Sequence, residues 1–429
     1  MTTPASLGAI DARRLIARKQ LSPVELAQAC IAQVETLDHA VNALIARDFD
    51  GMLEGAKKAE TAVMTGASLG ALHGLPFAVK DMIDVTGLPT TFGSEAFADN
   101  IATGDDAIVA AMRAAGGLPM GKTNTPEWSA GGNTRNRVNG VTANPYDLTR
   151  TCAGSSGGSA VALACDYAPL ATGSDTGGSL RNPAAYCGIV GYRPSPGVVP
   201  GNTRAAGLIP MPTSGPMARS VADAGLMLSV LARPDRNDPF TTVIDGRTPW
   251  DAASFANLPR RDLTSLRIAV TEDYGFAPTE ALIRDHFRAI LPKLAPFLGE
   301  VTEATPDCTD ADRIFSVLRG VQFLGVHAKL YDETPDHVGP NVADNVREGR
   351  SYSAEDVAQA IFAQGRYHRD WQAFFELHDF IISPAVTISP RPWRELYPTE
   401  IDGTPTKSYY HWLAMAYAST IPGHPSITI

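Results

Sequence analysis

The chain has 429 residues, 44% hydrophobic and 19% charged, enough to bury a large core in one big α/β unit or two ordinary ones. A formal net charge of −10 argues against a nucleic-acid or anionic-membrane partner, because an acidic surface repels both. The five cysteines (Cys30, Cys152, Cys165, Cys187 and Cys308) are scattered without CxxC pairing or metal-ligand spacing, which excludes a disulfide scaffold and reads as reduced thiols.

The opening MTTPASLGAIDARRLIARKQ has no apolar leader, and no apolar run approaches the ~20 residues of a membrane span, so a cytoplasmic protein is expected. Ser22-Pro23-Val24-Glu25 is a capping box with proline at the first helical position, and Leu26, Ile31, Val34 and Leu37 fall near one helical face. Leu75-Pro76-Phe77-Ala78-Val79 reads as a short buried strand that delivers Lys80 to its C-terminal end. Asp105 and Asp106 are expected to cap a helix carrying Ile108, Val109 and Met112, stopped by Gly116-Gly117.

The stretch Gly116-Gly117-Leu118-Pro119-Met120-Gly121-Lys122-Thr123 satisfies the phosphate-loop pattern GxxxxGK[ST] letter for letter. Its context argues against a nucleotide site. A phosphate loop needs a strand before it and a helix after it, so that amides at the helix start face the anion. Here a helix precedes, a strand-like LPMG fills the middle, and Pro126 follows. A P-loop nucleotide-binding protein therefore stays the weakest alternative.

Between Cys152 and Pro194, two Gly/Ser clusters at 154–159 and 173–179 flank apolar segments that look like buried helix and strand. A flexible linker would carry no such segments. Clustered glycine points instead to unusual dihedrals or a close approach of backbone to ligand, and serines held there are nucleophile candidates. Residues 195–219 read as loop-rich, Ser220 to Asp223 cap a helix ending near Leu231, and 233–264 form an irregular surface excursion. A strand restarts at Leu266, helical patterns begin at Thr279, Asp310 and the Ser353–Asp356 capping box, and a strand closes at 380–383. Alternating strands and helices predict an α/β fold with a mostly parallel or mixed sheet.

Two serines compete as nucleophile. Ser156 completes GSSGG, matching the GxSxG elbow of α/β hydrolases, which requires a later acid and histidine. None of the later histidines sits in a distinctive motif. Ser179 closes Asp175-Thr176-Gly177-Gly178-Ser179, where successive small-residue amides can turn inward as an oxyanion hole, each donor worth ~3 kcal/mol. Ser179 needs a base, and Lys80 can supply it if burial away from carboxylates makes it neutral. Asp81 is adjacent in sequence but on the opposite strand face, so it need not pair with Lys80. Ser155 is placed to relay protons between Lys80 and Ser179.

Taken together, LHGLPFAVKDMIDVTGLPTTFGS, GKTNTPEWS, ANPYDLTRTCAGSSGGSA, GSDTGGSLRNPAAYCGIVGYRP and SGPMARSVADA resemble the amidase signature family, in the same order, over about 70–231. The resemblance implies one amidase domain over 1–429, with a mixed central β-sheet covered by helices on both faces. It implies amide hydrolysis by a Ser-cisSer-Lys triad, here Ser179, Ser155 and Lys80, with a cis peptide at Ser155. Oxyanion and substrate contacts would come from Thr176, Gly177 and Gly178. Gly131, in the turn PEWSAG, resembles a residue of the acyl pocket. Asp175 and Arg181 are expected to fix the loop's shape rather than touch substrate. No metal or organic cofactor is implied, the partner is a small-molecule amide, and a homodimer is compatible with the reading.

Residues 233–410 correspond to the family's variable, specificity-setting segment and carry no recognisable substrate code. The family's usual continuation, a Gly-rich hairpin and closing helix, does not follow before Ile429, so the C-terminal end is expected to be truncated. Two functions of the same fold remain open: a free-standing amidase, and a glutaminase subunit of a tRNA-dependent amidotransferase. A non-catalytic protein of this fold would have no reason to keep all three triad positions.

Overall fold

The computed structural model describes residues 3–429. Seven strands form its main sheet: β1 (Leu44–Arg47), β2 (Pro76–Lys80), β3 (Leu118–Thr123), β4 (Leu170–Asp175), β5 (Val190–Arg193), β6 (Thr213–Ala218) and β7 (Ser426–Thr428). Their spatial order is β1-β3-β2-β4-β6-β5-β7. β2 runs parallel to β3 and β4, while β1, β6, β5 and β7 join antiparallel, so the sheet is mixed as expected.

β2 is buried on both faces, and its period of two sorts the side chains between two cores. Phe77 and Val79 join Leu72, Leu75 and Leu170 on one side; Ala78 joins Ala160, Val161 and Ala171 on the other. Lys80 shares the face of Ala78, the face covered by the helix Gly157–Ala164. That helix lies very close to the sheet. A Cβ at Gly158 would stand 2.4 Å from the Asn124 backbone nitrogen and 2.9 Å from the Ala43 carbonyl oxygen, so glycine is what permits the approach.

A second sheet of three parallel strands, Glu300–Glu303, Arg267–Val270 and Phe380–Ile382, lies within the segment read as variable. The long helices Ala311–Glu333, Pro340–Ser351 and Ala354–Leu377 accompany it. Both capping boxes form: Ser22 with Glu25 opens Pro23–Val41, and Ser353 with Asp356 opens Ala354–Leu377.

The structure departs from the sequence reading in two places and adds a helix to it in a third. The stretch 195–219 is not loop throughout, because β6 pairs along its whole length with β4 despite its Gly and Pro. A short helix, Arg181–Cys187, directly follows the second Gly/Ser cluster, where the sequence offers no strong periodicity. Only Asp106 caps the helix Ala107–Ala114; Asp105 instead accepts from the Thr86 amide and pairs with Arg113. All five cysteines are free thiols, and no helix among the described residues is long and apolar enough to cross a membrane.

Candidate active site

Because β2 and β4 are parallel neighbours, their C-terminal ends open on one side of the sheet, the side where α/β folds place ligands. Lys80 ends β2. Its backbone amide donates to Thr172 Oγ1 at 3.0 Å, and its Nζ donates to Ser155 Oγ at 2.7 Å and Ser174 Oγ at 3.0 Å. Lys80 and Ser155 are fully buried. Ser155 lies just before the helix Gly157–Ala164, and its peptide bond to Gly154 is cis. Burial is the main force on the lysine, lowering its pKa from 10.5 to about 7, against a weaker upward pull from Asp175. Near neutral pH a substantial fraction of Lys80 is therefore an uncharged amine.

Asp175, at the end of β4, organises the loop that carries Ser179. Its carboxylate accepts from the Gly178 amide at 2.8 Å and the Leu180 amide at 3.1 Å, and is gripped by Arg181 through Nε and Nη2, both at 3.0 Å. Burial alone would raise the Asp175 pKa, but Arg181 and Arg193 outweigh it and hold the carboxyl far below its usual range. Gly178 sits at φ +105°, a conformation that L side chains rarely adopt. The Gly178 amide is thus committed to Asp175, which corrects the expectation that it is a free oxyanion donor. The amides of Thr176, Gly177 and Ser179 have no hydrogen-bond partner among the described residues.

Ser155, Ser179, Thr176, Gly177 and Gly131 line one small cavity of about 30 Å³, so the expected site residues other than Lys80 and Gly178 converge on a common space. Lys80 lies behind Ser155. Gly131 is held at φ +144°, after two residues, Trp128 and Ser129, that also take positive φ. Phe315, Arg319, Tyr410 and Leu413 line the same cavity.

Sequence reasoning missed Ser174 and these four. Ser174 was legible in outline: Thr172 and Ser174 alternate along a buried strand, a polar face aimed at one neighbour. Phe315 and Arg319 are one turn apart on the helix Ala311–Glu333, and nothing local marks them as facing a site some 140 residues earlier in the sequence.

The competing motifs resolve against function. Ser156 is fully buried, and its hydroxyl exchanges hydrogen bonds at 3.3 Å with the backbone of Ser174, with no histidine of the described residues bonded to it. Gly121, Lys122 and Thr123 of the phosphate-loop pattern lie inside β3. Lys122 is fully buried, donating to the Pro89 carbonyl at 3.0 Å and Thr90 Oγ1 at 2.8 Å, with Asp81 3.4 Å away. A lysine so occupied cannot reach a phosphate, and this overturns the nucleotide-binding alternative. Asp81 faces Lys122 rather than Lys80, as strand alternation requires.

A family model described as Amidase matches residues 25–429. An acylamidase of Rhodococcus erythropolis is 34% identical over 431 residues, covering 99% of this chain and 88% of that protein. The A subunit of a glutamyl-tRNA(Gln) amidotransferase of Salinispora tropica is 37% identical over 310 residues, 71% of this chain and 62% of that one. Among solved structures, a bacterial aryl acylamidase of the amidase signature family superposes with a TM-score of 0.89 at 26% identity, covering 98% of this chain and 89% of that one. A 6-aminohexanoate cyclic dimer hydrolase complexed with substrate gives 0.85 at 25% identity, covering 99% and 89%.

Proposed function

We propose that this chain, which belongs to the amidase signature family, hydrolyses the C–N bond of a small carboxylic amide through an acyl-enzyme on Ser179. The observation that carries the reading is the 2.7 Å contact between a fully buried lysine, with its pKa lowered to about 7, and Ser155 at the edge of the cavity that Ser179 lines.

A neutral lysine has two N–H donors and one lone pair. With one N–H on Ser174 Oγ, the lone pair is available to the Ser155 proton. In the forward step Ser179 Oγ attacks the amide carbon, its proton passes to Ser155 Oγ, and the Ser155 proton passes to Lys80 Nζ. The oxyanion is received by the unpartnered amides of Thr176, Gly177 and Ser179. As the C–N bond breaks, protonated Lys80 returns a proton through Ser155 to the leaving nitrogen. Water then repeats the sequence on the acyl-enzyme and regenerates Ser179 and neutral Lys80. Gly131 sits against the acyl side of the cavity, and the whole chain acts as one amidase unit.

Incubating the protein with a panel of aliphatic, aryl, cyclic and amino-acid amides, with ammonia or amine release as readout, tests the reading. Release by the parent and none by Ser179→Ala is expected; equal release by both would sink the nucleophile assignment. A second reading follows from the likeness to the A subunits of amidotransferases: a glutaminase that works with a partner chain. Glutamine-dependent ammonia release that appears only in a co-purified complex would favour it.

A further inference from the structure

The cavity that Ser179 lines holds a cation that the proposed chemistry does not use. Arg319 is 6% exposed and lines the same small cavity as Ser155 and Ser179. No carboxylate of the described residues forms an ion pair with it; the nearby Glu348 instead accepts from the hydroxyls of Tyr410 and Tyr352 at 2.7 and 2.9 Å. The guanidinium donates from Nε to Tyr409 Oη at 3.0 Å and from Nη2 to the same oxygen. Nη1 has no hydrogen-bond partner among the described residues. Four rings surround the group, with the Phe323 centroid at 4.6 Å and those of Tyr409, Tyr410 and Phe315 at 5.5, 5.7 and 5.9 Å.

Burying a cation without a counter-charge is unfavourable, and aromatic faces offset only part of the cost. Its hydrogen bonds also come from one edge of the guanidinium, so the hydrogens of Nη1 remain unused in a residue that lines the cavity. The guanidinium binds carboxylates bidentately through either of two edges; Tyr409 takes the Nε/Nη2 edge, and the Nη1/Nη2 edge is left for a ligand. The cavity is small, about 30 Å³, which favours a compact ligand.

We propose that Arg319 sets substrate class by binding a carboxylate of the substrate, so that the preferred substrates are compact amides that also carry a carboxylate, such as monoamides of short dicarboxylic acids. The inference rests on the hydrolase reading for the reaction but makes a separate claim about binding. Arg319 is a specificity residue, and its hydrogen bonds go to Tyr409 rather than to Lys80, Ser155 or Ser179.

The test compares malonamate, succinamate and glutaramate with malonamide, succinamide and glutaramide, pairs of nearly equal size that differ in charge. The acid of at least one pair is expected to exceed its diamide in kcat/KM by at least about tenfold. Arg319→Met should lower kcat/KM on the acid at least about tenfold more than on the matching diamide, with the difference carried in KM, and Arg319→Lys should keep part of the preference. Equal or inverted preference in the parent at all three lengths, or equal losses on acid and diamide in Arg319→Met, would overturn the proposal.

Calorimetric titration of the preferred acid, or of all three where none is turned over, into Ser179→Ala separates binding from chemistry and needs no Arg319 variant to fold. Acid bound at least about tenfold tighter than diamide supports the proposal even if nothing is hydrolysed, in which case the hydrolase reading fails alone. Turnover of neutral amides with no such difference in binding overturns the carboxylate role alone.

Discussion

Lys80 Nζ lies 2.7 Å from Ser155 Oγ although 75 residues separate them, and no carboxylate of the described residues lies within hydrogen-bonding distance of the amine. The lysine ends one parallel strand, the serine precedes the helix that covers it, and Asp175, whose charge pulls the amine's pKa upward, is held by Arg181 and Arg193.

In the proposed relay the groups act in sequence, so removing any member should be nearly as damaging as removing the nucleophile. Ser179→Ala is expected to lower kcat by at least ~10⁴-fold, and Lys80→Ala and Ser155→Ala by at least ~10³-fold. Steady-state rates on the best amide of the panel check this. Near-parent activity in Lys80→Ala would remove the lysine from the mechanism.

Activity should fall on the acid side. The proposed relay needs neutral Lys80, and with its pKa near 7 the active fraction drops about tenfold per pH unit well below that value. A kcat/KM profile is expected to show a single acid limb with an apparent pKa near 7. A rate independent of pH from 5 to 8 would contradict the assignment.

Lys80 should also leave a mark on stability. In the folded chain its pKa is about 7 against an ordinary 10.5, so between those values the unfolded state holds a proton that the folded state lacks. Stability therefore rises with pH across that window, and below pH 7 the full cost of the buried charge is present. Lys80→Met is expected to raise Tm at pH 6, with the gain shrinking toward pH 10. Melting curves at both pH values decide it; a gain that grows with pH would be the wrong sign.

Asp175 works in the opposite sense. Its carboxyl is held below the ordinary value of 3.8, so its stabilisation is present above that pH and is lost as pH falls below it. Asp175→Asn leaves Arg181 and Arg193 buried without their counter-charge and should destabilise the fold by about 3–5 kcal/mol. Denaturant unfolding at pH 7 measures this, and a loss under 1 kcal/mol would contradict it.

The phosphate-loop lysine should prove purely structural. Lys122→Ala leaves Asp81 buried and unpaired, with a penalty of ~3 kcal/mol or more. Millimolar ATP should leave the parent's melting temperature unchanged, and a clear upward shift would reopen the nucleotide reading.

Much of the site is legible in the amino-acid order. The apolar strand ending in Lys80, the GSSGGS and DTGGS clusters and their succession along the chain are local patterns, and each carries its chemistry within a few residues. Strand alternation is enough to separate Asp81 from Lys80, and context is enough to doubt the phosphate-loop pattern. The candidate groups and the elements that hold them therefore follow from neighbouring residues, while the choice among the serines comes from the family resemblance. Three facts needed the folded chain: the Gly178 amide turns to Asp175, Ser174 reaches the lysine, and Arg319 and Tyr410 close the cavity. The first is local but depends on how the loop is held; the other two join segments 94 or more residues apart, and no local propensity or periodicity records which helix face a distant loop will meet.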